Sequence, residues 1–454
     1  MPRSRSASLS RSNIRSNASS DCAPWYPATP VRTCSLVIRP RVFTRAMTRL
    51  SRRSDASIWS AIGHHRSGRY GDPVITWRTG AVESLGASWT GAQEVTVRLD
   101  DPWADTRLPG RVKSLAYPEL VGPLAVGDRV QLNVSALARG LGTGGYALVV
   151  ARDDKPPADR HGGPGHLVKA RYTPLQTLVL GVDDQESEHH ELMRDADDLA
   201  GLPVVVADLH SALPAVVAGA RHAAARAGRP APRVAYVMTD GGALPAWFSR
   251  TVAGLRDAGW IASCITAGQS FGGDLEAVTV HTALLASRLV VEADLVVVAQ
   301  GPGNLGTGTR WGFSGVAAGE AVNAAAVLGG RPVASLRVSG ADLRERHVGV
   351  SHHSTTAYGR VALVPADVPV PVPDDELEPK LGPLSRQVHA QAEELVAAHP
   401  RLRLVDVRAD KALVHALLES PVKLSTMGRA LDQDPGAFVA AAVAGVHAVD
   451  LLGA

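Results

Sequence analysis

The chain has 454 residues, 45% hydrophobic and 20% charged, enough for two or three domains with an ordinary globular interior, and this composition excludes disorder over the whole length. The formal net charge of +3 is uneven: residues 1–70 hold thirteen Arg, no Lys and only Asp21 and Asp55, or 13 − 2 = +11, leaving 3 − 11 = −8 for the remainder. A mildly acidic body argues against a nucleic-acid-binding surface over it, and three scattered cysteines, Cys22, Cys34 and Cys264, exclude a disulfide framework and a CxxC zinc site.

Residues 1–70 mix Arg, Ser and Pro without the apolar core of a signal peptide, and are expected to be a disordered leader or a mis-assigned start, since Met47 precedes the first patterned segment. Over 71–152 the hydrophobic period is two: Val95, Val97 and Leu99 alternate with polar residues, as do Val130, Leu132 and Val134. Breakers at Gly91, Pro109-Gly110, Gly122-Pro123, Gly127-Asp128 and Gly144-Gly145 punctuate about five strands, which predicts a small β-domain of SH3-like or OB-like barrel type. Acidic and basic residues balance there and its aromatics do not alternate with basic residues, so nucleic acid is not expected as a partner of the barrel.

The stretch 153–166 combines charge, Pro and Gly and reads as a linker. From 167 to 370, continuous apolar runs of strand length (Leu178–Val182, Pro203–Ala207, Arg233–Met238, Trp260–Cys264, Leu295–Ala299, Pro332–Val338) alternate with Ala-rich stretches. Runs without alternation suit strands buried on both faces, which predicts an α/β fold with a Rossmann-like, doubly wound parallel sheet. Helices are expected over 211–227, 244–258, 275–291 and 315–328, followed by a helical C-terminal portion over 371–454 packed on the sheet. The apolar stretch Ala437–Leu452 carries His447 and Asp450 and is shorter than the roughly twenty residues of a spanning helix, so no membrane association is expected and the compartment is cytoplasmic.

In open parallel sheets ligands bind beyond the carboxyl ends of strands. The loop that best fits follows Ala299. It has six glycines in residues 300–315, among them Gly301, Gly303, Gly306 and Gly308, with Asn304, Thr307, Thr309 and Arg310. Backbone N–H groups, hydroxyls and a fixed cation suit an anionic group such as a carboxylate or phosphate. The spacing is neither GxGxxG at a helix start nor GxxxxGK[ST], so no nucleotide cofactor is specified. Asp240, Gly241 and Gly242 after the next strand, and His210 with Ser211 after the strand ending at Ala207, are the neighbouring ligand-binding candidates; Asp240 and Ser211 also suit helix capping. Asp274 and Glu276 are expected to complement a helix start. His352-His353 lack an HxxxH or HExxH partner, so no metal site is expected. No GxSxG elbow is present; catalytic residues and cofactor stay unassigned.

Gly122-Pro123-Leu124, Leu141-Gly142-Thr143-Gly144-Gly145-Tyr146, Leu209-His210-Ser211, the run Gly301 to Thr309 and Met427-Gly428-Arg429 together resemble a bacterial, actinobacterial-type family of unknown function over about residues 74–452. That resemblance implies a bacterial cytosolic protein and no activity. Asp294–Val298 followed by Gly306-Thr307-Gly308-Thr309-Arg310-Trp311-Gly312 is also similar to the segment carrying the catalytic selenocysteine or cysteine in substrate-binding components of glycine, sarcosine and proline reductases. The nucleophile's position is Leu305 here, and Gly308 and Trp311 stand where that family has flanking cysteines, so this resemblance implies only the fold and an anion-binding loop. The expected function is therefore binding of, or an enzymatic function on, a small anionic molecule at the Gly-rich loop. The rivals are a non-catalytic, homo-oligomeric assembly protein in which the loop is structural, and nucleic-acid binding through the β-domain.

Overall fold

The computed structural model describes residues 75–102, 108–153, 156–157 and 163–453; the expected leader over 1–70 and part of the 153–166 linker lie outside the described residues. Alternating patterning builds the first five strands: β1 (Trp77–Trp89), β2 (Ala92–Leu99), β3 (Arg111–Ala116), β4 (Arg129–Asn133) and β5 (Ala147–Arg152). They close into a barrel in the order β1-β2-β3-β5-β4. Neighbours are antiparallel except β3 and β5, which are parallel. β1 pairs with both β2 and β4, and register shifts between Val82 and Ser84 and between Leu85 and Ser88 bend it. Val95, Val97, Leu99, Val130 and Leu132 fill the interior.

The barrel's aromatics pack against the helix-and-sheet part of the same compact unit, which spans residues 71–454. Trp89 donates its indole N–H to the Trp247 carbonyl at 2.7 Å. Trp247 meets Phe271 edge-on, with ring centres 5.5 Å apart, and Tyr117 at 6.0 Å. Buried Glu94 accepts from the Tyr146 hydroxyl and from Arg250, and pairs with Lys113 at 2.8 Å.

Beyond the barrel, β6 (Leu167–Lys169) and β7 (Thr177–Val179) form a small antiparallel hairpin. The main sheet comprises β8 (Pro203–Val206), β9 (Val234–Thr239), β10 (Ser263–Ala267), β11 (Leu275–Ala277), β12 (Leu295–Gln300) and β13 (Arg331–Ala334). After a short hairpin, β14 (Val338–Ser339) with β15 (Gly349–Val350), it is completed by β16 (Ala366–Pro373) and β17 (Leu402–Ala409). The order is β11-β10-β9-β12-β8-β13-β16-β17 and all pairings are parallel. Period two now divides each apolar run between two cores. Val204, Val206, Ala235, Val237, Val296 and Val298 face the helices Val280–Leu289, Ala318–Val327 and Glu378–Ala398. Val205, Val234, Tyr236, Met238, Leu295 and Val297 face Leu213–Arg226, Arg250–Asp257, Lys411–Leu418 and Pro435–Asp450. Burial on both faces is why these runs lack polar alternation.

Three expectations are corrected. The run at 178–182 forms no full strand of the sheet: Leu178 lies in the β6–β7 hairpin, 69% exposed, and the run meets the sheet edge only through a parallel bridge from Gly181 to Glu276 beside buried Val182. The segment 275–291 starts as strand β11, and its helix begins only after Thr279, whose hydroxyl accepts from the Thr282 N–H. Glu276 consequently sits in a strand, buried against Lys169 at 3.0 Å, and is no helix-start acid. The C-terminal portion is not purely helical, because β16 runs on through Pro369 and Pro371 to pair with β17. The ladder between β13 and β16 is limited to Val333 and Asp367, so the rest of β16 has one strand neighbour and tolerates proline.

One helix among the described residues, Pro435–Gly453, is long and apolar enough to cross a membrane, and it is mostly buried inside the fold. It packs across Leu213–Arg226 at glycines: a Cβ at Gly219 would stand 2.0 Å from the Ala442 carbonyl oxygen, and one at Gly445 would stand 1.9 Å from that of Val216.

Candidate functional site

The chain passes from β8 to β9, builds outward to β11, and then returns to insert β12 between β8 and β9. That reversal is the topological position at which ligands bind in open sheets. The carboxyl ends here are Val206, Thr239, Gln300 and Ala334, and the loops after them contain most of the predicted residues.

Much of that polar inventory is committed internally. Buried Gln300 donates to the Asp208 carbonyl at 2.8 Å and to Asn304 Oδ1 at 3.2 Å; Asn304 Oδ1 also accepts from the Ser314 hydroxyl at 2.8 Å. Gly241, Gly242 and Gly301 allow two loops to touch: a Cβ on Gly242 would lie 2.1 Å from the Gly301 oxygen, and the Ala243 N–H donates to the Pro302 carbonyl at 2.8 Å. Thr307 and Thr309 hydroxyls bond each other at 3.1 Å and close a small turn on Gly312. Gly303 and Gly308 adopt φ of +90° and +78°. Gly306 bridges Phe313 in antiparallel fashion, which makes 306–313 a protruding hairpin.

Asp240 Oδ2 accepts from the Gln269 N–H at 2.8 Å, bracing the next loop. Ser211 donates to Thr426 Oγ1 at 3.0 Å. Part-buried His210 lies 2.9 Å from the Tyr236 hydroxyl through Nδ1 and 2.7 Å from Ser249 Oγ through Nε2. Because the Tyr236 hydroxyl points at the carbonyls of Ala299 and Gln300, both 3.2 Å away, Nδ1–H donates to Tyr236 and Nε2 accepts from Ser249. This neutral tautomer is fully satisfied, and burial pushes its pKa down to about 4. Asp240, His210 and Ser211 are therefore bracing groups, and none of them lines the cleft that Arg310 enters.

That cleft, about 550 Å³, lies between the hairpin tip at Gly308 and Arg310, the turn at Arg346, the segment His352–Arg360, Gln391 and Glu394 on the long helix, and His399 just past its end. Arg310, Arg346 and Arg360 are exposed. Among the described residues none of the three pairs with a carboxylate, and Glu394 is the one acid in the cleft wall. Burial, then the charges of His353, Arg346 and Arg337, hold His352 down at about 4. Burial followed by Arg337 and Arg344 holds His347 at about 3.

Beneath the cleft Phe313, which ends the Gly-rich hairpin, stacks on His353 with ring centres 3.8 Å apart. His353 Nδ1 is 3.3 Å from Asp208 Oδ2 and 3.0 Å from Arg337 Nη1. His347, His352 and His353 each offer a ring nitrogen, these lying within 4.8 Å of one another. Although adjacent helical residues point about 100° apart, His352 and His353 converge with His347 because the β14–β15 hairpin returns the chain beside the helix start.

A family described as proteins of unknown function, DUF3866, matches residues 113–445, from β3 to the last long helix. The chain belongs to the DUF3866 family. No curated protein matches it. In this DUF3866 protein the family match takes in the whole Gly-rich hairpin, the arginine cleft and the histidine cluster. Sequence reading singled out Arg310 and missed Arg346, Arg360 and His347. The available signal for His347 was its place five residues before His352-His353; nothing local marked the two arginines, whose neighbourhood arises from long-range packing.

Proposed function

We propose that this protein binds a small anionic molecule, a carboxylate or phosphate compound, in the cleft beside the Gly-rich hairpin, within a cytoplasmic protein of Rossmann-like α/β architecture. The observation that carries the reading is the convergence of Arg310, Arg346 and Arg360, from three separate segments, without carboxylate partners among the described residues. Planar guanidinium groups match carboxylate and phosphate oxygens in pairs. The hairpin's role is to present Arg310 rigidly, since its own threonines are consumed in its turn.

The test is thermal shift and titration calorimetry of the full chain with inorganic phosphate, citrate and nucleoside monophosphates. Charge-assisted hydrogen bonds contribute about 1.5–3 kcal/mol each, so Arg310→Ala or Arg346→Ala should weaken a bound anion by about 10- to 100-fold with little change in Tm. No anion effect on the wild type refutes the reading. A second reading, subunit assembly through the hairpin, is favoured by Leu305 at its base and Trp311 near its tip, 74% and 55% exposed; sedimentation that is unchanged by Trp311→Ser would refute it.

A further inference from the structure

Three imidazoles meet where the turn Glu345–His347 and the helix start at His352 come together. Each offers one ring nitrogen within 4.8 Å of the other two, and the ring centres lie 5.0, 5.0 and 4.5 Å apart. His347 and His353 are buried, at 2% and 6% exposure. The Nε2 atom of His352 is buried with no hydrogen-bond partner among the described residues, which costs free energy unless something fills the position.

The surroundings also orient the rings. His347 Nδ1 is 2.7 Å from Ser351 Oγ, and the same hydroxyl accepts from the His353 N–H at 3.2 Å as the cap of the helix. His353 Nδ1 is 3.3 Å from Asp208 Oδ2, so a carboxylate stands behind a histidine as it does at metal sites, where it fixes the tautomer that frees the other nitrogen. Arg337 competes for this arrangement, its Nη1 lying 3.0 Å from the same Nδ1 and 3.7 Å from Asp208. A guanidinium has no lone pair. It can only donate to Nδ1, which would leave the proton on Nε2; donation by Nδ1–H to Asp208 leaves Nε2 open. Of the other cations nearby, Arg344 is paired with Asp342 at 2.8 and 2.9 Å, and Arg346 lines the cleft beside His352.

We propose that His347, His352 and His353 bind one divalent transition-metal ion of the zinc class. Nitrogen donors select zinc, cobalt, nickel or copper over magnesium and calcium, which require oxygen. Three protein ligands leave a coordination position open, the pattern of reactive rather than structural zinc sites. His352 belongs both to the cluster and to the wall of the arginine cleft, so the open position is adjacent to the cleft and is available to water or to an oxygen of an anion. The metal site stands on the three histidines and does not require the anion reading to hold.

The full chain, stripped with a chelator, would be titrated with Co²⁺ in non-coordinating buffer, reading visible ligand-field absorption, and with Zn²⁺ against a chromophoric chelator. Wild type should take up an equimolar amount and show low-coordinate cobalt bands. His347→Gln and His352→Gln should each weaken binding at least as much as loss of a hydrogen-bond partner behind a ligand does, about 10- to 100-fold, with unchanged circular dichroism. Asp208→Asn should weaken it by about that amount. Should one histidine variant fail to fold, the other and Asp208→Asn decide. Wild type that binds neither ion, or folded variants that bind like wild type, would overturn the site. Phosphate binding without added metal is a separate measurement, so the anion and metal readings fail independently.

Discussion

Replacing Gly445 by Ala tests the helix crossing behind the sheet. In a solvated helix this change stabilises by about 0.8–1 kcal/mol, because Ala is the better helix former. Here the new Cβ would stand 1.9 Å from the Val216 carbonyl oxygen and 2.9 Å from the Ala220 amide nitrogen. Carbon and oxygen need about 3 Å at the least, so the helices must part by about 1.1 Å (3.0 − 1.9). Neither obstacle is a side chain that can rotate away. A gap of ~0.5–1 Å forfeits a quarter to a half of each dispersion contact it opens, and overpacking of cores costs about 1–3 kcal/mol. With both obstacles on the backbone the upper end applies, and subtracting the propensity gain leaves a net loss of about 2 kcal/mol. Equilibrium urea unfolding of the full chain measures it. Gly219→Ala should behave alike, since its Cβ would meet the Ala442 oxygen at 2.0 Å, and the double variant should cost less than the sum because one separation relieves both overlaps. A Gly445→Ala protein more stable than wild type would refute the argument.

His210 is held neutral in the fold at about 4 by burial, against about 6.5 when unfolded. Its contribution is complete above pH 6.5 and is lost as pH falls toward 4, at most about 3.4 kcal/mol from 2.5 pH units at 1.36 kcal/mol each; His210→Gln should flatten the stability profile in that window, and an unchanged slope would count against it. Lys169 donates to the carbonyls of Thr266, Ser270 and Ala277 at 3.1, 2.8 and 2.9 Å while paired with Glu276. Lys169→Met strands that buried carboxylate and should destabilise by about 3–5 kcal/mol, which chemical denaturation would read; a loss under 1 kcal/mol would show that the site rehydrates.

The barrel and the parallel sheet were legible because period and burial coincide: Val95, Val97 and Leu99 alternate where one face is wet, whereas Leu295–Gln300 does not because both faces are covered. Leu275–Ala277 was read as helix because a three-residue strand has too few residues to show a period, and what makes it a strand is pairing with β10 and the burial of Glu276 by Lys169, about a hundred residues away in the chain. At the site, Arg310 stood out in a glycine-rich run that has an obvious local signature. Arg346 and Arg360 lie in unremarkable surroundings and reach the same cleft through tertiary packing alone. His210 stood out as a polar residue at a strand end, but its contacts with Tyr236 and Ser249 come from residues 26 and 39 positions away and left no local signature.

The late arrival of β12 also constrains how the molecule is made. A ribosome delivers β8 and β9 first, but their common neighbour starts only at Leu295, 56 residues after Thr239 (295 − 239) and 89 after Val206 (295 − 206). During that interval both strands present unpaired, apolar parallel edges toward a vacancy. Closing it is a long-range event of the kind that slows folding and exposes nascent chains to association. The Gly-rich hairpin and its arginine follow directly after this keystone strand, so the candidate site is assembled only once the sheet has become continuous.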